Sequence, residues 1–531
     1  MSPTSHHDND PAPKSAQGIE IHLENTNAPS PAQLPRSLSW LGAIGLAFTI
    51  TNSWKSYAAT FGAIIIYGGG VTVLFAVLIA ALAQWVILLG VCELVSAFPS
   101  SGGCYHYTYI LAPKSTRKFA SFTVGIINLL GFWIGGVAAA IFTTISIFGI
   151  VEFATGFVPR PCEVYGGFVG VVLLSLLPIL TIPASKTKHL TTLTLTLSLT
   201  CLVIFIIVLA AMTRTRTPSN LTLHSNRSGY SDPVGWLLSA SVGMYSFSAT
   251  GTVVHVAEEV PRPGRGIPLA INTTMAVGII TTIPFVVVLL LGIHDIQAVQ
   301  EAWIPSLEAF YQATGCKAAA VVLQGLLVVL FYTVVSTQWI SVSRIAWSLA
   351  RDNALPYSPF FSQIHPHFNF PLNTTLLSAT FFILFGTIYM WSTTAFNSFV
   401  NMASLFVNIA FTVPQGILLC RRRYLLPADR EFNLNFNPGL GLGRRWTGFR
   451  GTGYLVNAFS VCWLVFVGVL FCFPTRIPTQ KGEMNYGSVV LVGLFALIMG
   501  MYCLVVVDYC FYFCCWITQR TGTSHGLDCS Q

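Results

Sequence analysis

The chain has 531 residues, of which 53% are hydrophobic and only 9% are charged, with a formal net charge of +8. Soluble proteins carry roughly 25% charged residues, so this composition excludes a soluble enzyme, a disordered chain and a nucleic-acid-binding protein. The 13 cysteines show neither the spacing of a disulfide framework nor that of a zinc site. A mean hydropathy of +0.68 indicates a polytopic membrane protein.

The chain begins with a polar segment, residues 1–36, rich in Pro, Ser, Asn and His. It contains no basic region followed by an apolar stretch, so no cleaved signal peptide is predicted. Because it has too little apolar surface to offset the entropy lost on ordering, we expect a disordered cytosolic tail. A second polar tail is predicted at 517–531.

Between the tails, apolar stretches long enough to cross a bilayer, about 20 residues each, recur along the chain. Backbone polar groups find no water in hydrocarbon, so these stretches must be helical. The fold predicted for residues 37–516 is therefore an all-α polytopic membrane protein with twelve transmembrane helices. The spans are 38–61, 71–97, 120–150, 164–183, 189–212, 236–257, 269–293, 318–345, 373–391, 396–420, 455–473 and 488–516.

Lys and Arg in the connections predict the orientation. With a cytosolic N-terminus, the inner loops hold 16 basic residues and the outer loops hold seven. The positive-inside rule then places both termini in the cytosol. Two glycosylation sequons, at Asn220 and Asn226, fall in the 213–235 loop, which this topology places outside.

Two spans carry polar interruptions at corresponding positions. Residues 49–56 of span 1 read TITNSWKS, and residues 246–252 of span 6 read SFSATGT. Ser, Thr and Gly are poor helix formers that bond the nearby backbone instead. Asn52 lies 14 residues from the inner start of span 1, and Thr250 lies 14 residues from the outer start of span 6.

Paired interruptions of this kind predict two inverted repeats, here 38–212 and 236–420, with the last two spans, 455–516, outside them. The interrupted segments would then face each other near the bilayer midplane. Free N–H groups at a half-helix N-terminus attract an anion, and exposed carbonyls attract an amine or a cation. The alternative is that these Ser and Thr residues only bond the preceding helical turn.

Several motifs resemble the fungal amino acid/choline transporter family, which includes GABA and choline permeases and belongs to the amino acid–polyamine–organocation superfamily. The resemblance runs in order from about residue 37 to 516. The motifs are Thr51-Asn52-Ser53-Trp54, Ile66-Tyr67-Gly68-Gly69, the stretch from Glu93 to Gly103, Tyr105-His106, the stretch from His255 to Gly264, Ala350-Arg351-Asp352-Asn353, Thr394 to Ser398, Pro414-Gln415-Gly416 and Met484-Asn485-Tyr486.

This resemblance implies a LeuT-like fold of five-plus-five inverted repeats with broken helices 1 and 6, and uptake driven by an ion gradient, usually of protons. It also implies a substrate site built from both interruptions, with an aromatic residue near the gate. The substrate-binding residues so predicted are Thr51, Asn52, Ser53, Trp54, Lys55, Tyr245, Phe247, Ser248, Ala249, Thr250 and Gly251.

Lys55 departs from the family pattern, which has an apolar residue there, and no acidic residue lies close to Thr250. A lysine at mid-bilayer costs about 2.5–3.5 kcal/mol on insertion scales. Three interpretations stay open: Lys55 snorkels or pairs with a buried acceptor, replaces a coupling cation by losing and regaining a proton, or binds an anionic group of the substrate. His255 is a second coupling candidate, although a hydrogen-bonded structural histidine is the simpler interpretation.

Three carboxylates on the predicted inner side are interpreted as structural. Glu258 and Glu259 are expected to pair with inner-loop Arg or Lys, and Pro261 to stop span 6. Glu93, at the end of span 2, is expected to cap its helix or pair with basic residues of the loop that follows.

The leading functional hypothesis is a secondary active transporter that imports an amino acid, GABA, choline or a related amine-bearing solute with protons. Spans 1, 2, 6 and 7 would rock against the rest. The alternative is a transporter-like nutrient sensor. No intramembrane catalytic or metal constellation is present in the sequence, so neither an enzyme nor a cofactor is predicted. The predicted partners are the solute, a proton and membrane lipids, in the plasma membrane or alternatively the vacuolar membrane.

Overall fold

The computed structural model describes residues 38–182, 186–213, 215–366, 368–421, 423–427, 430–434, 451–479 and 485–521, without the side chains of 393–398, 401, 424 and 505–521. The predicted N-terminal tail, 1–36, and residues 522–531 of the predicted C-terminal tail lie outside the described residues. The part that is described belongs to one compact unit, Leu34–Gln531.

Nearly all of the described chain is helical; its one β pairing is an isolated bridge between His365 and Phe370. The α-helices are α1 Trp40–Thr51, α2 Ser53–Ile65, α3 Gly69–Ala97, α4 Cys104–Leu111, α5 Arg117–Thr155, α6 Pro161–Thr181, α7 Thr187–Met212, α8 Ser219–Thr222, α9 Asp232–Gly243, α10 Tyr245–Ser248, α11 Pro263–Gly292, α12 Ile296–Glu301, α13 Pro305–Thr314, α14 Lys317–Arg351, α15 Ser358–Phe361, α16 Leu372–Trp391, α17 Thr393–Arg421, α18 Thr452–Leu470 and α19 Gly487–Thr521.

Eleven helical segments of the described chain are long and apolar enough to cross a membrane. The consecutive helices α1 and α2, each too short to count alone, supply a twelfth span, in agreement with the twelve predicted. Most helices begin or end within a few residues of the predicted bounds. The largest extensions are at α5, predicted as 120–150, and α14, predicted as 318–345, because both continue past the apolar stretch.

The spans differ in how deeply they are buried, and this places the site. In the segment Asp232–Glu259, 78% of the most apolar stretch is buried inside the protein, whereas the figure for Gly487–Leu504 in α19 is 17%. The interrupted sixth span is therefore central, and the last span is peripheral.

Span 1 divides at a single residue. Asn52 has φ 36° and ψ 63°, in the left-handed region that asparagine tolerates better than most residues. Its N–H still bonds to the Phe48 carbonyl, and its own carbonyl accepts from the Ser56 N–H, so both half-helices are anchored at the break. The Ser56 hydroxyl donates to the Thr51 carbonyl at 2.8 Å.

Span 6 is interrupted in another way. After α9 and α10 the chain winds as a 3₁₀-helix over Ala249–Glu259, with non-helical angles at Val256 (φ −109°, ψ 17°). Such helices seldom exceed three or four residues, and one inside a longer helix often marks a hinge. The interruption predicted at 246–252 is thus a tightened winding rather than an open gap. Its local cause is visible at Thr250, whose hydroxyl donates to the Phe247 carbonyl at 2.9 Å.

Candidate functional site

A cavity lies where the two interrupted spans meet, and α5, α14 and α17 form its other walls. It contains about 530 Å³ of empty space, counting the part open to the outside. It is lined by Ile50, Thr51, Lys55, Ser56, Gly131, Phe132, Gly135, Ala139, Tyr245, Ser248, Ala249, Phe331, Val334, Gln338, Ala403, Ser404 and Val407.

The two interruptions contact each other beside this cavity. The Thr51 hydroxyl donates to the Thr250 hydroxyl at 3.2 Å, joining residues 199 positions apart. Ser248, one turn from Tyr245, donates to Ser404 of α17 at 3.3 Å. The polar residues of both spans therefore converge near the middle of the bundle, as the inverted-repeat pattern predicts.

Lys55 is the one charged residue among the described residues that line the cavity. Its side chain is 1% exposed, and Nζ lies 4.2 Å from the centroid of the Phe331 ring. Within the described part of the chain, no carboxylate forms an ion pair with it. A desolvated cation–π contact contributes about 2 kcal/mol, whereas burying an ammonium group costs several kcal/mol. The ring alone therefore leaves much of this cost uncompensated.

Five of the eleven predicted substrate-binding residues line the cavity: Thr51, Lys55, Tyr245, Ser248 and Ala249. The structure directs the other six, Asn52, Ser53, Trp54, Phe247, Thr250 and Gly251, toward neighbouring helices. All six are buried in the structure.

The residues directed away from the cavity hold the interruptions in place. Trp54 lies between the rings of Phe205 and Phe285, with centroids 5.3 and 5.2 Å away, and its Nε1–H donates to the Ser198 hydroxyl. That hydroxyl donates in turn to Oδ1 of Asn52 at 3.1 Å. One serine of α7 thus joins both sides of the break.

Span 6 also packs closely against a neighbouring helix at its interruption. A Cβ on Gly251 would lie 2.3 Å from the ring of Phe411 in α17, so this position has no room for a side chain. In span 1, Ser53 packs closely against Gly278 of α11.

The sequence-based prediction missed the walls that come from other helices. Phe132, Phe331, Gln338 and Ser404 line the cavity, yet none lies near an interruption in sequence. A signal was present in α5 at Gly135, where a Cβ would meet nothing within 4 Å and the residue leaves space for the cavity.

A second, smaller cavity lies next to the first. Its walls include Thr60, Val242 and Phe471, and it shares Tyr245 and Ser404 with the first cavity. Tyr245 and Ser404 therefore lie on the wall between the two cavities. A gate role for Tyr245 or Phe247 stays a prediction.

The predicted cytosolic end of the bundle is closed by a set of polar contacts that we call the polar cluster. It consists of Ser101, Asn128, His255, Glu258, Glu259, Arg344 and Arg351. Arg344 pairs with Glu259 through two hydrogen bonds, of 2.7 and 3.3 Å, with side chains only 1% and 2% exposed. Arg351 pairs with Glu258 at 3.2 Å, one quarter exposed. Both pairs join span 6 to α14.

The structure gives Glu258 and Glu259 the arginine partners expected of them, although these belong to the end of α14. The expectation for Glu93 was wrong about the partner: it pairs with Arg423 and Arg430, which follow α17, and not with the loop after its own helix. Separation along the chain concealed this contact.

His255 completes the polar cluster with two hydrogen bonds. One ring nitrogen, Nδ1, lies 3.1 Å from the Ser101 carbonyl, and Nε2 lies 2.9 Å from Nδ2 of Asn128. A carbonyl only accepts and an amide NH₂ only donates, so these partners fit a neutral ring protonated at Nδ1. Oδ1 of Asn128 has no hydrogen-bond partner.

Outside the spans, burial and the charged residues of the polar cluster both affect the pKa of a histidine in α4, His106. Burial lowers the pKa of His106 below its ordinary value. The charge of Arg351 acts in the same direction, while Asp352 and Glu258 oppose it. Burial therefore favours the neutral form of His106 in the folded protein.

The two predicted glycosylation sites differ in the structure. Asn220 is 7% exposed, and its side-chain NH₂ donates to the carbonyls of Leu290 and Ile293. A glycan on this nitrogen would disrupt both contacts. Asn226 stays the better prediction, although its amide donates to Asp232 and to the Tyr230 carbonyl.

No group of three or more His, Cys, Asp or Glu side chains that could hold a metal ion occurs in the described ranges. The chemistry available at the cavity is thus one ammonium group, several hydroxyls and one carboxamide, enclosed by apolar and aromatic walls. Such a site can bind a small solute.

These features define a class of protein: a multi-pass integral membrane transporter with two interrupted spans around a central cavity. Residues 38–495 match the amino acid permease family, and the chain belongs to that family. It is 28% identical over 472 residues to the choline transporter of Saccharomyces cerevisiae, covering 87% of this chain and 80% of that protein. It is 25% identical over 475 residues to amino-acid permease 2 of Neurospora crassa, covering 87% and 84%.

The fold is shared with a solved structure of a mutant form of the manganese transporter from Eremococcus coleocola. The TM-score is 0.51 at 13% sequence identity, covering 89% of this chain and 94% of the other. At this identity the likeness concerns the fold alone. The predicted LeuT-like class is confirmed, whereas the site residues stay a prediction.

Proposed function

We propose that the chain is a secondary active transporter that imports a small amine-bearing solute, an amino acid, GABA, choline or a related compound, and that it acts without catalysis. The observation that carries this is the cavity at the contact between Thr51 and Thr250, enclosed by interrupted spans and closed on one side by the polar cluster. The two relatives above are a choline transporter and an amino-acid permease, and this supports the same solute range.

The distribution of contacts supports transport by alternating access. Spans 1, 2, 6 and 7 would rock as a bundle against the remaining spans. The ion pairs of Glu258 and Glu259 with α14 hold the two parts together at the predicted cytosolic end. In the described state the solute would reach the cavity past Tyr245 and leave when these pairs separate.

Coupling to protons is part of the proposal, with Lys55 and His255 as candidates. His255 stands at the closure, where its Nδ1 bonds to the carbonyl of Ser101, and the N–H of Ser101 donates to Glu258. If His255 takes up a proton, its Nε2–H needs an acceptor. Rotation of the Asn128 carboxamide would supply Oδ1, which has no partner in the present state.

We also propose the plasma membrane as the location, with both termini cytosolic; the vacuolar membrane is the alternative. The excess of basic residues on the predicted inner loops supports this orientation. Membrane lipids are then the permanent surroundings of the exposed apolar helix faces.

Uptake by the full chain in proteoliposomes tests the function. With labelled alanine, glutamate, GABA and choline outside, we expect at least one to accumulate when the outside is acidic, and accumulation to be lost with a protonophore. Binding of a solute without any uptake would favour the sensor alternative, which the comparisons do not support. Uptake that ignores the pH gradient would contradict proton coupling only.

A further inference from the structure

The cavity contains a cation that lacks a counterion among the described residues. Lys55 follows the break of span 1, and it lines the cavity together with Thr51, which precedes the break. The carboxylates of the polar cluster, Glu258 and Glu259, are each engaged by an arginine of α14. A carboxylate that enters the cavity would therefore supply the counterion that Lys55 lacks there.

The Lys55 side chain already occupies one face of the Phe331 ring. Nζ of Lys55 lies over this ring, 4.2 Å from its centroid. An aromatic face is the usual binding surface for a quaternary ammonium group. A solute with a fixed positive charge would therefore meet both an occupied ring and a like charge.

The other polar groups of the cavity suit a hydrogen-bond donor. Oε1 of Gln338 is buried without a partner, while its NH₂ group donates to the Phe132 carbonyl. Ser248 and Ser404 add hydroxyl oxygens that line the same cavity. The cavity therefore combines the amino group of Lys55 with uncharged oxygens that can accept hydrogen bonds.

We infer that Lys55 is a specificity-determining residue that binds a carboxylate of the solute, and that the transported class is a carboxylate-bearing amino compound without a second positive charge. Choline, polyamines and basic amino acids are excluded. This inference rests on the proposed transport function and narrows its solute range. It selects the third of the sequence-based interpretations of Lys55.

A matched pair of ligands tests this on the unaltered protein. Choline and glycine betaine carry the same trimethylammonium group, but only betaine has a carboxylate. GABA and its amide differ in the same way. In competition with the transported solute, and in thermal stabilisation of the purified full chain, we expect the carboxylate member of the pairs to act at concentrations at least tenfold lower. Equal potency, or preference for choline or the amide, overturns the inference.

Two variants extend the test. Lys55→Met keeps the length of the side chain and removes its charge, so the carboxylate preference should fall to within about twofold. Lys317→Met is the control, because Lys317 also lies over a phenylalanine ring, Phe153, but outside the cavity. It should retain the full preference. A Lys55→Met protein that folds and still prefers carboxylates by tenfold overturns the assignment.

The results distinguish a failure of the carboxylate-binding role of Lys55 from a failure of the proposed transport function. If stabilisation follows the carboxylate but no compound is transported, the transport proposal fails while the carboxylate site stands. If choline is transported and stabilises the chain as well as betaine does, transport stands and the assignment of Lys55 fails. A Lys55→Met variant that does not fold leaves the ligand pairs on the native protein to decide.

Discussion

At the scale of single residues, the ion pair between Arg344 and Glu259 joins span 6 to α14 inside the protein. Both side chains are almost completely buried and joined by two hydrogen bonds. Removing one partner of such a pair costs about 3–5 kcal/mol, because the remaining charge keeps its desolvation penalty. Replacing both with uncharged residues costs much less.

We therefore predict that Arg344→Met lowers the thermal midpoint of the purified protein more than the double variant Glu259→Gln, Arg344→Met does. Arg351→Met is the matched control. Its pair with Glu258 is one quarter exposed, so its loss should cost about 1 kcal/mol or less. Thermal unfolding in detergent ranks the four proteins. A double variant less stable than the Arg344→Met single variant would contradict the argument.

The same scale shows what the sequence can and cannot reveal about the site. The break at Asn52 was predictable because asparagine among Ser and Thr favours a non-helical turn. The direction of each side chain was not. Trp54 is one residue from Lys55, yet it points to Ser198 of α7, and only the placement of α7 decides this.

At the scale of elements, α1 packs against α7 through a glycine. A Cβ on Gly45 would lie 2.6 Å from the carbonyl oxygen of Thr191, a backbone atom that cannot move aside alone. A Cβ on Gly42, one turn earlier in the same helix, would meet nothing closer than 3.4 Å. The two glycines are therefore a matched pair in one helix.

Gly45→Ala should destabilise the protein by about 1–3 kcal/mol, the usual cost of overpacking. Gly42→Ala should be neutral or stabilising by up to about 1 kcal/mol, since alanine is the better helix former. Thermal midpoints and uptake rates measured side by side check this. If both variants behave alike, α1 does not pack on α7 as closely as the structure places it.

The elements also show why the sixth span was only partly predictable. Composition located the interruption at 246–252, but not its form, since Ser, Thr and Gly are compatible with a gap or with 3₁₀ winding. The structure has 3₁₀ winding over Ala249–Glu259, and at Gly251 the backbone lies so close to α17 that a Cβ would be 2.3 Å from the ring of Phe411.

At the scale of the whole molecule, the positions of the two cavities and of the polar cluster indicate which end of the protein is closed. The second cavity continues from Tyr245 on the side away from the polar cluster, so the described state is closed at the cluster. The sequence predicted the spans and their order because each is an apolar stretch. It could not predict the state, because the contacts that set it join residues far apart in the chain, such as Glu258 and Arg351.

The accessibility of position 101 to a reagent can show whether the end closed by the polar cluster opens. Ser101 is fully buried, its N–H donates to Glu258, and its hydroxyl has no partner, so Ser101→Cys changes little in the closed state. When span 6 separates from α14, this position becomes accessible. We predict that maleimide labels the cysteine at position 101 several-fold faster in the double variant Ser101→Cys, Arg351→Gln than in Ser101→Cys alone. The double variant lacks the ion pair between Arg351 and Glu258, one of the two that join span 6 to α14.

Peptide mass spectrometry assigns the labelling to this position, and the exposed native Cys162 and Cys316 serve as internal controls. Their rates should be the same in both proteins, because they lie at the start of α6 and before α14, remote in sequence from the cluster. A transported solute should change the rate at position 101 in both variants. If Arg351→Gln leaves that rate unaltered while the controls label normally, the ion pair does not hold this end closed, and alternating access must be controlled elsewhere.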